Sequence, residues 1–145
     1  MGNGGSAAEA DHLAAEFVGK CENDIGGLPA ISLASSNAII TSLTNDFSFD
    51  YIFARQIKIL ANPDDVVIGL STSGNSKNVI EALRTASEKG CFTSLWTSLR
   101  FTPNYHFIKN LIQTPSYSTP RTQEHHLFVG HIISQYMEKD PSKIN

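Results

Sequence analysis

The sequence has little of several features that mark common protein classes. Its 145 residues include two cysteines and one tryptophan, and aromatic residues make up 9% of the chain. Cys21 and Cys91 lie far apart and outside any C-x-x-C motif, which excludes a zinc knuckle and a disulfide framework. No apolar run approaches the roughly 18 residues that a membrane span requires. The 11 basic residues form no cluster and face 14 acidic ones, so the charge pattern does not favour a nucleic-acid partner.

What remains is the composition of an ordinary globular chain. Hydrophobic residues make up 41% and charged residues 17%, with a formal net charge of −3. This length is typical of one domain with a single core. The first residues have neither the basic region nor the apolar region of a signal peptide. We therefore expect a cytoplasmic protein without membrane or nucleic-acid partners, with one domain over residues 1–139 and a polar tail over 140–145.

Hydrophobic periodicity predicts alternating strands and helices. Val66–Leu70 is an unbroken apolar run typical of a parallel strand covered on both faces, and a helix over 77–89 follows it, ended by Gly90. The same criteria predict helices over 6–20, 37–43, 51–60 and 121–139, and strands over 29–33, 91–96 and near 111–112. This alternation favours an α/β fold, namely a three-layer α/β/α sandwich with a mainly parallel sheet.

Two loops rich in glycine and hydroxyl side chains lead into predicted helices. The first is residues 2–6 (G-N-G-G-S), and the second is residues 71–76 (S-T-S-G-N-S), directly after a strand. Ligands of open α/β sheets bind beyond the carboxyl ends of the strands, where a helix N-terminus offers N–H groups to an anion. The second loop therefore favours phosphate binding, and its alternative is a turn whose hydroxyls only cap a helix. The first loop is either a flexible chain end or a formed loop, and the capping-box spacing of Ser6 and Glu9 favours the latter.

Candidate metal ligands lie on the first and last predicted helices. His12 and Glu16 share one helix face, either as a surface polar pair or as ligands of a divalent metal such as zinc. On the last helix, His126 and His131 are about 140° apart, so they cannot face one site, and a solvated polar face explains at least one of them. Gln123 and His131 could meet at one metal only if both side chains stretch toward it; otherwise one donor must come from another subunit.

Taken together, five motifs resemble the phosphoheptose isomerase family, whose members have the sugar-isomerase (SIS) fold, a flavodoxin-like arrangement. The motifs are residues 2–6 with Ala10, His12 and Glu16; residues 45–47 (N-D-F); residues 71–76 with Asn78 and Val79; residues 119–121 (T-P-R); and Gln123, Glu124, His126 and His131. The similarity runs from Gly2 to about Glu138, in the family's order and with similar intervals.

The resemblance implies a role for each matching residue. Glu16 and His131 would be the acid/base pair that moves a proton between C1 and C2 of a sugar through an enediol. One zinc ion per subunit would polarise the oxygens of the developing enediolate. The implied metal ligands are His12, Glu16, Gln123 and His131. The implied substrate-binding residues are Asn3, Gly4, Gly5, Glu16, Asn45, Asp46, Ser71, Thr72, Ser73, Ser76 and Gln123.

The resemblance also implies a reaction and an assembly. The substrate would be sedoheptulose 7-phosphate, a phosphorylated seven-carbon sugar, and the product D-glycero-D-manno-heptose 7-phosphate, used in heptose biosynthesis for lipopolysaccharide. Family members are homotetramers with sites at subunit contacts. The alternative is a non-catalytic SIS protein that binds a phosphosugar or a protein, similar to the replication-initiator-associating branch. That branch tends to lose the histidine that corresponds to His131.

Two departures from the family's pattern concern the scaffold. Family members carry helices and a strand before the first glycine loop, so we expect an N-terminally truncated domain with impaired folding or activity. Residues 97–100 (T-S-L-R) stand where relatives have a glycine-rich turn, and no glycine occurs between Gly90 and Gly130. We therefore expect the loop after the strand 91–96 to be rebuilt.

Overall fold

The computed structural model describes residues 1–101 and 104–139, so the predicted polar tail 140–145 lies outside the described residues. The helices are α1 (Gly5–Val18), α2 (Asn37–Asp46), α3 (Ile52–Leu60), α4 (Lys77–Glu88) and α5 (Thr119–Lys139), with a 3₁₀ turn at Phe49–Tyr51 before α3. The strands are β1 (Val66–Leu70), β2 (Phe92–Ser98) and β3 (Asn110–Thr114). No helix within the described ranges combines the length and the apolar character needed to cross a membrane.

The three strands form one parallel sheet in the order β1-β2-β3. Gly2 adds an isolated parallel bridge to Leu70, whose N–H donates to the carbonyl of Met1 over 2.8 Å. The first glycine loop therefore starts at the carboxyl end of β1, beside the loop that follows this strand. The two glycine-containing loops are neighbours because both begin at the carboxyl end of β1.

Alternate residues of the strands belong to two apolar cores, one on each face of the sheet. Val67 and Leu95 belong to the core that contains residues of α3 and α4. Leu70 and Trp96 belong to the core shared with Ala10 of α1 and partly buried residues of α5. This period-two division places helices on both faces, which confirms the three-layer α/β/α fold.

The predicted capping box at the start of α1 is wrong. The helix begins at Gly5, one residue earlier than expected, and its N-cap is Gly4, which makes no side-chain cap bond. Ser6 and Glu9 are both 4% exposed inside the first turns of the helix. The carboxylate of Glu9 lies against α5, with Oε1 3.7 Å from Nδ1 of His126.

The predicted strand over 29–33 is also absent, since residues 28–36 contain neither helix nor strand. Ser32 explains part of the difference, because its side-chain oxygen accepts from Ala34 N–H and its carbonyl accepts from Ser35 N–H. A serine that bonds its own backbone neighbours competes with a sheet ladder. Leu33 still packs into the core beside α3, so the apolar pattern of this segment correctly indicated that Leu33 is buried.

Candidate functional site

Two helices far apart in the sequence bring three candidate ligands together. Nε2 of His12 on α1 lies 2.9 Å from Nε2 of His131 on α5 and 3.3 Å from Oε1 of Glu16. One donor atom from each of the three side chains lies within 4.8 Å of the others. The side chain of Glu16 is 20% exposed and that of His12 is 47% exposed, so the cluster borders solvent.

A close helix crossing sets the position of this cluster. A Cβ atom added to Gly130 would lie 2.2 Å from Cδ2 of Leu13, so α1 packs directly on the glycine of α5. Leu13 follows His12 and Gly130 precedes His131 in the sequence. The contact that lets the helices approach therefore stands beside the residues that form the cluster.

An open cleft of about 420 Å³ lies next to His12. Its wall includes Gly5 and Gln123, which are in tight contact, since a Cβ on Gly5 would lie 2.2 Å from Nε2 of Gln123. Gln123 thus faces the start of α1 on the same side as His12. A second groove, of about 260 Å³, lies between α1 and residues 30–35, and Asp11 is the one titratable side chain in its wall. The wall of the cleft beside His12 therefore contains more titratable side chains than the wall of this groove.

A buried acid and a buried imidazole lie beneath this cleft. Glu9 also borders the cleft, and its Oε1 lies 3.7 Å from Nδ1 of the fully buried His126. That separation is longer than a hydrogen bond, and within the described chain neither the Glu9 carboxyl oxygens nor the His126 ring nitrogens have a hydrogen-bond partner. The expectation that a solvated face explains one of His126 and His131 is wrong for His126.

Burial keeps this pair neutral between about pH 4 and pH 7. Desolvation raises the pKa of Glu9 to about 7, although the Ser6 hydroxyl acts in the opposite direction. Desolvation lowers the pKa of His126 to about 4, although the backbone of Thr97 acts in the opposite direction. Both shifts have one cause, because a low-dielectric interior disfavours the charged form of either group.

The loop after β1 presents hydroxyl groups at the start of α4. The hydroxyls of Ser71 and Ser76 lie 2.9 Å apart, and that of Ser73 lies 3.5 Å from Ser71. Ser76 is the N-cap of α4 but makes no side-chain cap bond. Among the described residues, no acceptor is bonded to the backbone N–H groups of Ser73, Lys77 or Asn78. The loop therefore presents unpaired donors and neutral hydroxyls, a combination that suits an anion.

The first glycine loop is bonded to the same helix start. The side-chain amides of Asn3 and Asn78 exchange two hydrogen bonds of 2.8 Å, and Oδ1 of Asn78 also accepts from Val79 N–H. The structure therefore places Asn3 beside the end of the loop 71–76. Residues 2–6 form a loop with a defined position, so the flexible-end alternative is not needed.

Asn45 and Asp46 lie in a different part of the molecule. They end α2, which packs on α3 and the 3₁₀ turn, and both residues are exposed. Ile40 and Leu43 of α2 join the core on the α3/α4 face, whereas His12 and His131 belong to helices of the opposite layer. Within one chain, the described contacts do not bring Asn45 and Asp46 to the cleft, and their role in substrate binding stays a prediction.

Three residues that shape the site were not among the predicted catalytic, metal-binding or substrate-binding residues. Asn78 anchors the first loop, Glu9 borders the cleft, and Ser98 donates its hydroxyl to the carbonyl of Thr72 over 2.6 Å. The signal for Ser98 was present, because carboxyl ends of neighbouring parallel strands meet at one sheet edge. The burial of Glu9 gave no such signal, since its spacing from Ser6 also fits a capping box.

The three-residue cluster fits a divalent metal by its donor chemistry. Two imidazole nitrogens and one carboxylate oxygen form a set that zinc takes in proteins, and three protein ligands leave a position open for a substrate oxygen. Two of the three donor separations, 2.9 and 3.3 Å, are near the roughly 3.4 Å edge that tetrahedral ligation at about 2.1 Å requires, and all three lie within 4.8 Å. His12, Glu16 and His131 therefore form a group able to hold a metal ion.

Comparison with known proteins shows the family to which the chain belongs. The profile of the SIS domain matches residues 1–98. The chain is 48% identical over 140 residues to the phosphoheptose isomerase of Geobacter sulfurreducens, an alignment that covers 96% of this chain and 74% of that protein. This chain belongs to the phosphoheptose isomerase family. Another family member, from Aquifex aeolicus, is 43% identical over 144 residues, which cover 73% of its length.

Solved structures of phosphoheptose isomerases have the same fold. The enzyme from Neisseria gonorrhoeae superposes with a TM-score of 0.85 at 34% identity, over 96% of this chain and 74% of that one. The enzyme from Francisella tularensis superposes with a TM-score of 0.86 at 27% identity, with the same coverage. These likenesses confirm the SIS fold and the assignment to an isomerase family.

Proposed function

We propose that this chain is a phosphoheptose isomerase that converts sedoheptulose 7-phosphate to D-glycero-D-manno-heptose 7-phosphate. The observation that carries the proposal is the convergence of His12, Glu16 and His131, two of them 119 residues apart, with donor atoms within 4.8 Å. An aldose–ketose isomerase needs an acid/base pair and a way to stabilise an enediolate. This cluster supplies the groups for both.

The proton transfers are assigned to Glu16 and His131. The Glu16 carboxylate would take the proton from one carbon of the C1–C2 unit and return it to the other. The His131 imidazole would move the proton between the two oxygens, so that each group serves one half of the reaction. Their placement on two packed helices holds them at a fixed separation, as such a transfer requires.

The metal is proposed to be zinc, one per subunit, held by His12, Glu16 and His131. Gln123, which lies in the wall of the same cleft, would be a further ligand. Bound there, zinc would supply Lewis-acid stabilisation for the two substrate oxygens. The protein's own contribution is to orient the substrate and to place the acid/base pair beside the carbons that react.

The phosphate end of the substrate is assigned to the loop after β1. Ser71, Thr72, Ser73 and Ser76 would provide hydroxyl groups, and the unpaired N–H groups at the start of α4 would provide further donors. Asn3, Gly4 and Gly5 would line the sugar chain between the two sites, because Asn3 is bonded to α4 and Gly5 touches Gln123. Neutral donors and a helix N-terminus suit a phosphate without a lysine or arginine.

Assembly is proposed to complete the site. Large apolar side chains are exposed at the end of α2 and in the 3₁₀ turn, and others on the outer face of α5: Phe47, Phe49, Tyr51, Phe128 and Ile132. Such surfaces favour burial against a second copy. In a homotetramer, Asn45 and Asp46 of one subunit would reach the cleft of another. Light scattering after size-exclusion chromatography measures this directly, and a monomer of 15.8 kDa would contradict it.

The direct test of function is an assay of the zinc-loaded chain with sedoheptulose 7-phosphate. We expect aldose formation by the wild type and a loss of about 10² to 10⁴-fold in Glu16→Gln, because the general base is removed. Glu81→Gln is the matched control, since Glu81 pairs with Arg84 on α4, away from the cluster. Equal rates in the Glu16 variant and the wild type would refute the proposed chemistry.

The same assay separates this function from that of a non-catalytic SIS protein. A binding protein would retain phosphosugar affinity but show no turnover with any metal. The presence of both Glu16 and His131 in one cluster favours the enzyme, since a binding protein has no use for a paired acid and base beside the ligand.

A further inference from the structure

The residue that ends β2 forms a hydrogen bond to the loop that follows β1. Ser98 is 1% exposed, and its hydroxyl donates to the carbonyl of Thr72 over 2.6 Å while accepting from Arg100 N–H at 3.1 Å. Because Arg100 supplies a hydrogen to this oxygen and a carbonyl can only accept, the direction of the short bond is fixed. Ser98 thus joins the loop 71–76 to the segment that follows β2.

A second contact braces the same loop. Phe101 is 5% exposed and lies against Gly74, where an added Cβ would come within 2.3 Å of the phenyl ring. Gln113 of β3 donates through Nε2 to the carbonyl of Phe101 at 2.8 Å and to that of Ser98 at 3.3 Å. A continuous set of contacts therefore runs from β3, through residues 98–101, to the loop 71–76.

The bond to Thr72 also fixes the direction of a backbone donor. No cis peptide bond occurs in the described chain, so the peptide between Thr72 and Ser73 is trans and planar. In a trans peptide the C=O and N–H groups point in opposite directions. With the Thr72 carbonyl held toward Ser98, the Ser73 N–H faces the other side of the loop, and it has no partner among the described residues.

We propose that Ser98 is a positioning residue for phosphate binding: its hydrogen bond to Thr72 aims the Ser73 N–H at the substrate phosphate. This inference rests on the proposed function of the loop 71–76. It also gives a physical account of the segment 97–100, which has no glycine and holds the loop by a side-chain hydroxyl. Ser98 touches no substrate atom in this role and is not a catalytic residue.

Binding of inorganic phosphate, measured by calorimetry on the full chain, tests the inference without turnover. We expect Ser98→Ala to weaken phosphate binding about three- to tenfold, the loss that one hydrogen bond typically represents. In the isomerase assay the same variant should raise KM by a similar factor and leave kcat nearly unchanged. Ser98→Thr, which keeps the hydroxyl, should hold the Kd within about twofold of the wild type.

Ser94→Ala is the matched control, because Ser94 is also buried on β2 and its hydroxyl accepts from Trp96 and Asn110, away from the loop. Equal phosphate affinity in Ser98→Ala and the wild type would overturn the role of Ser98. An equal loss in Ser94→Ala would also overturn it, since the effect would then follow from general destabilisation. A wild-type chain that binds no phosphate would instead refute the phosphate loop itself, and the role of Ser98 with it.

Discussion

Asn3 and Asn78 exchange two side-chain hydrogen bonds of 2.8 Å across 75 residues of sequence. The pair joins the first glycine loop to the start of α4, and Asn78 is 2% exposed. Each amide satisfies the other, so the removal of Asn3 leaves the buried Asn78 amide without this partner. Two loops predicted to bind one substrate are thus a single structural unit.

This pair predicts strong coupling in a double-mutant cycle. We expect Asn3→Ala to cost about 1–3 kcal/mol of unfolding free energy, because it leaves the Asn78 amide unpaired in the interior. The double variant with Asn78→Ala should cost less than the sum of the single variants, by about 0.5–3 kcal/mol. Urea denaturation measures all four proteins. Additive costs would show that the two amides act independently.

The crossing of α1 and α5 predicts a link between packing and metal affinity. Gly130→Ala would push its methyl group into Leu13, which lies 2.2 Å from the added Cβ, and would separate the helices that carry His12 and His131. We expect at least a tenfold loss of zinc affinity in competition with a chelator dye, together with about 1–3 kcal/mol of destabilisation.

A compensating change tests that explanation. Leu13→Ala in the Gly130→Ala background removes the atoms that collide, so zinc affinity should recover even though the core loses apolar contacts. An affinity that stays low in the double variant would mean that helix separation is not the cause.

Substitutions at two glycines with positive φ angles can distinguish the cost of backbone strain from the cost of a steric collision. Gly74 (φ 69°) lies against Phe101, whereas Gly26 (φ 88°) has no atom within 4 Å of an added Cβ. We expect Gly26→Ala to cost about 1–2 kcal/mol of stability, the left-handed backbone penalty alone. Gly74→Ala should cost about 1–3 kcal/mol more and also weaken phosphate binding. Thermal denaturation and phosphate calorimetry measure both effects, and similar values for the two variants would contradict the close packing of Phe101.

The buried Glu9 predicts a pH-dependent stability. Its pKa is raised to about 7, so its contribution to stability is complete below about pH 4.5 and is lost as the pH rises through 7. Glu9→Gln removes this loss. Relative to the wild type, the variant should gain about 2 kcal/mol between pH 5 and pH 8.

His126 acts in the opposite direction and must be followed in the same experiment. Its pKa is lowered to about 4, so it contributes stability above about pH 6.5 that is lost as the pH falls toward 4. In the wild type, the pH dependences of stability due to Glu9 and His126 oppose each other between about pH 4.5 and 6.5. In Glu9→Gln only the pH dependence due to His126 should remain. The exposed Glu88→Gln is the control. Parallel stability curves for Glu9→Gln and the wild type would rule out a buried, protonated Glu9.

The sequence predicted the elements whose apolar pattern is strong. The run Val66–Leu70 has the observed bounds of β1, and α4 ends one residue before the predicted Lys89. The strand after Gly90 continues two residues beyond Trp96, through polar residues that are buried by neighbours the sequence does not reveal. The predicted strand over 29–33 failed because burial of Leu33 looks the same for a loop as for a strand.

The site was predictable where spacing alone constrains it. His12 and Glu16 share a helix face by geometry, whereas their meeting with His131 depends on how α1 packs on α5 and was reached through the resemblance. The burial of His126 was missed, because a run of polar residues on a helix usually indicates a solvated face. Only the tertiary contact with Glu9 and Trp96 shows that this part of α5 faces the interior.

The most direct test of the proposed isomerase function is NMR of sedoheptulose 7-phosphate incubated with the zinc-loaded chain. We expect new C1–H signals of an aldose heptose 7-phosphate, which disappear after chelation, return with zinc and are reduced to background in Glu16→Gln. His12→Gln should lose zinc-dependent turnover, whereas the exposed His106→Gln should retain it. A wild-type spectrum that shows no aldose above the Glu16→Gln background, with zinc bound and the fold intact, would contradict the proposed isomerase function.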